Sequence, residues 1–143
     1  MDGPSQSVAT FLTALQDART QLTTHRNAFA RHGLRVETYF VLGGRPFTVL
    51  ENETQRVFSG TISLGLLVTG ANRREYQLGV DLMWDEQQWT LQTEAWVEAE
   101  TEGMNFLRGL PERTADTLPQ CLEHLRAAIE DLSTFADLVP VSA

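Results

Sequence analysis

EYQLGVDLMW (residues 75–84) alternates between large apolar residues and small or polar ones. A period of two is typical of a β-strand with one buried face and one open face. Turn signals flank this run, GANRR at 70–74 and DEQQ at 85–88, so it is predicted to have an antiparallel neighbour on each side. Its apolar set consists of Tyr76, Leu78, Val80, Leu82 and Trp84.

The two neighbouring segments, 57–69 and WTLQTEAWVEAETE (89–102), set the register of this strand independently. On one side, Trp84 opposite Trp89 brings apolar residues face to face along both strands. On the other side, Val68 opposite Tyr76 does the same. A slip of one residue would point all of these apolar side chains towards the solvent. The agreement of the two registers therefore predicts an antiparallel sheet with one buried face.

The remaining patterns complete the predicted fold. RVETYFVL (35–42) and PFTVLE (46–51) flank the turn signal GGR, which predicts a first hairpin and hence a five-stranded antiparallel meander. Segments 5–32 and 118–138 carry apolar residues at steps of three and four, which predicts an N-terminal and a C-terminal helix. EGMNFLRGLPER (102–113) is predicted to be a loop.

Both helices are predicted to pack on one face of the sheet. Five strands span about 24 Å, and two helices about 10 Å apart cover nearly that width. The expected fold is therefore α+β, an α-β5-α arrangement in a single domain over residues 1–143, with the second face of the sheet open.

The amino-acid composition argues against several classes of function. A net charge of −8 argues against sequence-independent binding to nucleic acid, and no apolar run reaches the length of about 20 residues that spans a membrane. The chain has no lysine, which excludes mechanisms that need an amine. The lack of a secretory signal pattern and the single cysteine predict a cytoplasmic protein without an internal disulfide.

The charge is uneven along the chain, and a tryptophan stands within the acidic part. Seven acids and no basic residue lie from Asp81 to Glu102, whereas four arginines and no acid lie from Arg19 to Arg35. In the predicted register Trp96 faces away from the helices, beside the adjacent glycines Gly65 and Gly79.

This placement of Trp96 has two interpretations. Its ring covers the glycines, or it anchors a partner at the centre of an apolar patch with a charged rim. The predicted partner-binding residues are Trp96, Glu94, Glu98, Glu100, Asp81, Met83, Leu67 and Tyr39. The acids have a separate interpretation: they face the protein's own Arg19–Arg35 segment, or they simply keep the chain soluble.

The sequence gives little support for a catalytic site or a metal site. Cys121 and His124 are three residues apart on a helix, but Cys121 borders an apolar stripe and is predicted to be a buried structural thiol. His25 and His32 are two helical turns apart, about 10 Å, too far for one metal ion. Asp81 and Glu94 lack an apolar pocket that would shift their pKa values. No catalytic residue, metal or cofactor is predicted.

The leading hypothesis is a non-enzymatic protein-binding module that engages a basic protein partner through the acidic face containing Trp96. By size and charge alone it is comparable to immunity proteins and secretion chaperones, which neutralise or escort a partner. An alternative is a small-ligand carrier or enzyme with a cavity between sheet and helices, lined by Phe11, Phe40, Phe47, Tyr76, Trp84 and Trp89. A third hypothesis is a homodimer formed through the open face or through Phe135 and Val139.

Overall fold

An open antiparallel sheet forms the centre of the fold. The computed structural model describes residues 4–44, 60–84 and 88–142. In chain order the elements are α1 (Pro4–Ala30), β1 (Arg35–Gly44), β2 (Gly60–Thr69), β3 (Glu75–Trp84), β4 (Trp89–Glu98), β5 (Met104–Gly109), β6 (Arg113–Ala115), α2 (Leu118–Glu130) and a 3₁₀ helix (Asp131–Leu138). Strands β1 to β5 follow one another across the sheet, and β6 pairs with β4. The predicted α+β class, with an antiparallel sheet and two helices, is confirmed.

The central register is the predicted one. Trp84 pairs with Trp89, and on the other side Val68 pairs with Tyr76. Buried and half-buried residues alternate along β3 and β4. The buried set of the sheet forms one hydrophobic cluster with buried residues of both helices, so the helices share the inner face of the sheet.

The first part of the sheet differs from the prediction. β1 pairs directly with β2 along its full length, from Arg35 opposite Thr69 to Gly44 opposite Gly60. The predicted position of a strand at 46–51 between these two is therefore wrong, and residues 46–51 themselves lie outside the described residues. The pairing still places Tyr39 on the outer face, opposite Gly65, as the alternation in RVETYFVL predicts.

The predicted loop at 102–113 is wrong, because it contains β5 and the start of β6. β5 pairs with β4, with a register shift at Ala95/Trp96: Trp96 faces Phe106, whereas Ala95 faces Arg108. The extra residue Leu107 is a β-bulge, and it lets Arg108 point to the helix side. There the Arg108 guanidinium donates two hydrogen bonds of 3.1 Å to the carboxylate of Asp137 in the 3₁₀ helix.

Helix α1 matches the predicted segment. Phe11, Ala18, Leu22 and Phe29 are buried, and Gly33 after its end has φ +79°, the left-handed conformation that favours glycine. The apolar spacing in segment 5–32 also predicts that Leu12 belongs to the buried stripe, but Leu12 is 55% exposed.

Helix α2 begins as predicted. The hydroxyl of Thr117 accepts a hydrogen bond of 3.3 Å from the backbone N–H of Gln120. The predicted single helix over 118–138 changes to a 3₁₀ helix at Asp131. Phe135 and Val139 are buried, so the apolar surface predicted at these two residues for dimer formation does not exist.

Candidate functional site

The face of the sheet opposite the helices, hereafter the outer face, carries most of the predicted partner-binding residues. Each of them pairs with a residue that also points outward: Tyr39 with Gly65, Leu67 with Gln77, Asp81 with Gln92, Met83 with Thr90, Glu94 with Gly79, Trp96 with Gln77, and Glu98 with Met104. Glu100 lies beyond the end of β4, in an exposed bend. The outward orientation of Trp96 is therefore as predicted.

Tyr39 fills the trough at the paired glycines Gly65 and Gly79. A Cβ atom added to Gly79 would collide with the Tyr39 hydroxyl, and one added to Gly65 would come within 2.9 Å of it. The Gln77 side-chain amide donates a hydrogen bond of 3.2 Å to this hydroxyl. Tyr39 thus has the covering role that one interpretation assigned to Trp96.

Burial of Tyr39 has a consequence that titration can detect. Burial raises its pKa from 10.0 to about 12; the Gln77 hydrogen bond acts in the opposite direction, and the charge of Asp81 raises it further. Because the folded state holds this proton more tightly than the unfolded state, the contribution of Tyr39 to stability is complete below pH 10 and is lost as the pH rises towards 12.

We expect ¹³Cζ NMR of the two tyrosines to show that Tyr39 ionises near pH 12 in the folded protein. Tyr39→Phe should remove part of the loss of stability between pH 10 and 12. Ionisation of Tyr39 near pH 10 without unfolding would show that the ring does not occupy the glycine trough.

Trp96 contacts an aromatic residue in the segment that was predicted to be a loop. Its ring centroid lies 5.2 Å from that of Phe106 on β5, and the ring planes make an angle of 72°, the edge-to-face arrangement that aromatic pairs prefer. Trp96 is half-buried, and Phe106 is 53% exposed. The two rings form an apolar surface at the edge of the sheet.

Beside this aromatic pair is an open groove of about 370 Å³. It is lined by Gln92, Glu94, Phe106, Gly109, Leu110 and Glu112. Burial, together with the nearby charge of Asp81, raises the pKa of Glu94, so the expectation of an unshifted pKa is wrong for this residue. The Gln92 side-chain amide donates a hydrogen bond of 3.2 Å to the carboxylate of Glu112. The groove therefore combines an aromatic ring with two carboxylates, and none of the described residues that line it is basic.

The predicted acids form two groups. Asp81 and Glu94 lie diagonally across β3 and β4, because Asp81 pairs with Gln92 and Glu94 with Gly79. Glu98 is four residues further along β4, about 13 Å away in an extended strand. Its carboxylate accepts a hydrogen bond of 2.8 Å from the backbone N–H of Glu75, so Glu98 also stabilises the start of β3.

The acids of the outer face do not face the arginines of α1. α1 packs against the inner face of the sheet, which places its two arginines, Arg19 and Arg26, in the opposite layer. Arg35 pairs with Glu37 at 3.2 Å on its own strand. The interpretation that the strand acids face the Arg19–Arg35 segment is therefore wrong for Arg19 and Arg26, whereas Arg35 lies on the outer face with Tyr39.

The cysteine considered as a nucleophile and the aromatic residues considered as the lining of a cavity have structural roles. Cys121 is 0% exposed, as predicted, and burial raises its pKa to about 12, which keeps the thiol protonated. Three aromatics proposed to line an internal cavity pack on one another, with ring centroids of Trp89 and Trp84 5.7 Å apart and those of Phe11 and Trp89 6.1 Å apart. Phe40 is 37% exposed, and Phe47 lies outside the described residues.

Over residues 4–44, 60–84 and 88–142, no group of three or more His, Cys, Asp and Glu side chains could hold a metal ion. Neither α1 nor any other helix in this described part of the chain is long and apolar enough to cross a membrane.

The sequence patterns missed Phe106 and Glu112. Met104 and Phe106 alternate as a strand requires, but Leu107 and Arg108 break the period of two at the bulge. Gly103, which has φ +88°, is the signal that a turn precedes a further strand.

Comparison with known proteins does not assign this fold or this groove to a class. The chain matches no model of a protein family, no curated protein and no solved structure. The case for a function therefore comes from the outer face itself.

Proposed function

We propose that the protein is a non-enzymatic binding module that engages a basic protein partner through its outer face. The observation that carries the proposal is the aromatic pair of half-buried Trp96 and exposed Phe106 beside a groove lined by Glu94 and Glu112. Aromatic residues supply much of the affinity of protein interfaces, and surrounding charges select the partner and speed the encounter. Neutralisation or escort of the partner is the role that we propose for such a module.

The distribution of charge supports binding of a basic partner at the outer face and not at the helix layer. The outer face carries Asp81 and Glu94, whereas both arginines of α1, Arg19 and Arg26, belong to the opposite layer. A basic partner is therefore attracted to the outer face and orientated by the field across the protein. At a net charge of −8 this attraction acts beyond contact distance at low salt and weakens as salt is added.

Capture of partners from an extract of the source organism tests the proposal. We expect Trp96→Ala, and separately the triple variant Asp81→Asn, Glu94→Gln and Glu100→Gln, to lose a basic protein that the wild type retains. Each of these surface charges contributes about 0.5 kcal/mol, so the triple variant should bind that partner about 10-fold more weakly. Mass spectrometry identifies the retained protein, and titration of the purified partner measures the affinity.

A matched control changes the same number of charges on the helix layer. Asp17→Asn, Glu123→Gln and Glu130→Gln remove three exposed acids from α1 and α2. This variant should retain the partner. Equal losses in both triple variants would mean that net charge alone attracts basic proteins, and the outer face would then not be the binding site.

A further inference from the structure

The groove at the edge of the outer face has the features of a site for one type of side chain. Glu94 reaches it from β4, Phe106 from β5, and Glu112 from the segment between β5 and β6. Gly109 completes the groove with no side chain of its own. A Cβ atom added there would lie 3.1 Å from Cζ of Phe106 and 3.8 Å from Cγ of Glu94, so the absence of a side chain lets the Phe106 ring lie close to the backbone of the groove and to Glu94.

We propose that this groove binds an arginine side chain of the basic partner, with the guanidinium bonded to the carboxylates of Glu94 and Glu112 and stacked on the ring of Phe106. The inference rests on the proposed function, because it names the residue by which the partner engages the outer face. A guanidinium is planar, donates hydrogen bonds along several edges and packs on aromatic faces. A lysine ammonium is a compact and strongly hydrated charge that cannot make all of these contacts at once.

Two further contacts favour arginine over a general attraction to positive charge. The hydrogen bond of 3.2 Å from Gln92 to Glu112 holds one carboxylate in place at the groove. Contact with Trp96, with ring centroids 5.2 Å apart, restrains the ring of Phe106. Acceptors and a ring that are already positioned lose less conformational entropy when the guanidinium binds.

Two synthetic peptides test the proposal with the full-length protein: six arginines, or six lysines, flanked by glycine and serine. We expect calorimetric titration to show that the arginine peptide binds more tightly than the lysine peptide. Phe106→Ala should weaken binding of the arginine peptide about two- to fivefold, the size of an exposed cation–π contact, and change binding of the lysine peptide less. Glu112→Gln should also reduce the preference for arginine.

Gly109→Val fills the groove without removing a charge, and we expect it to abolish the preference for arginine. Glu123→Gln on α2 removes one charge outside the groove and should leave the preference unchanged. Thermal melts of all variants show whether each one is folded, so that a loss of binding is not a loss of structure.

The outcomes separate the two proposals. Equal affinity for both peptides, with both weakened by Trp96→Ala, would overturn the arginine site and leave the outer face as the binding surface. No difference between wild type and the outer-face variants for either peptide would overturn both proposals. Chemical shift changes at Glu94 and Glu112 on adding the arginine peptide alone would support the arginine site.

Discussion

Gly65→Ala is expected to lower the free energy of unfolding by about 3 kcal/mol or more, at the upper end of the cost of overpacking a well-packed site. The added Cβ atom would collide with the carbonyl oxygen of Leu78 and lie 2.6 Å from the Cα atom of Gly79. Both obstacles belong to the backbone of β3, so they can be relieved only if β2 and β3 move apart. The central register of the sheet then weakens together with the buried residues that it aligns.

Gly79→Ala should cost less, although Gly79 is the direct partner of Gly65. Its added Cβ atom would collide with the hydroxyl of Tyr39, which is the end of a side chain, and would lie 3.2 Å from the carbonyl oxygen of Leu64. We therefore expect Tyr39→Ala to relieve much of the cost of Gly79→Ala and little of the cost of Gly65→Ala. Urea denaturation of the single and double variants measures this difference in coupling.

Gly109→Ala is the matched control, since it is the same change in a strand of the same sheet. Its Cβ atom would lie 3.1 Å from the tip of the Phe106 ring, a contact that a displacement of a few tenths of an ångström relieves, and 3.8 Å from Glu94. The free energy of unfolding should change by about 0.5 kcal/mol or less. A Gly65→Ala variant as stable as Gly109→Ala would mean that β2 and β3 do not approach as the structure shows.

The central register could be predicted from the sequence because the hairpins on both sides of residues 75–84 impose the same condition. Shifting either hairpin by one residue would expose Leu78, Val80 and Leu82 to water. The same condition placed Trp96 on the outer face, since it alternates with the buried residues Ala95 and Val97. The local alternation of apolar residues is sufficient to predict the register wherever one face of a strand is buried along its whole length.

The edge of the sheet could not be predicted in this way. β5 has exposed residues on both faces, Asn105 opposite the buried Val97 and Phe106 opposite Trp96, so burial does not impose a period of two. Its bulge also brings Arg108 to the side where an apolar residue would be expected. The second ring of the candidate site and Glu112 are therefore results of tertiary pairing. The trough at Gly65 could be predicted, but the choice of Tyr39 over Trp96 to fill it depends on the β1–β2 register.

Phe135→Ala is expected to lower the free energy of unfolding by about 3–5 kcal/mol, because Phe135 is 0% exposed and its truncation leaves a cavity in the core. The 3₁₀ helix that carries it packs on β3 and β4, beneath the strands that form the outer face. Circular dichroism should record a fall in melting temperature of roughly 10 °C for a chain of this size.

Phe135→Ala also tests whether Phe135 belongs to the core of the monomer or to a dimer interface. A residue in a dimer interface would leave the stability of the monomer unchanged and would alter the mass measured by light scattering when it is truncated. We expect the opposite: an unchanged mass and a less stable fold. Leu12→Ala is the control, because Leu12 is 55% exposed on α1 and its truncation should change stability by about 0.5 kcal/mol or less. A Phe135→Ala variant that melts like Leu12→Ala would show that the 3₁₀ helix does not close the core.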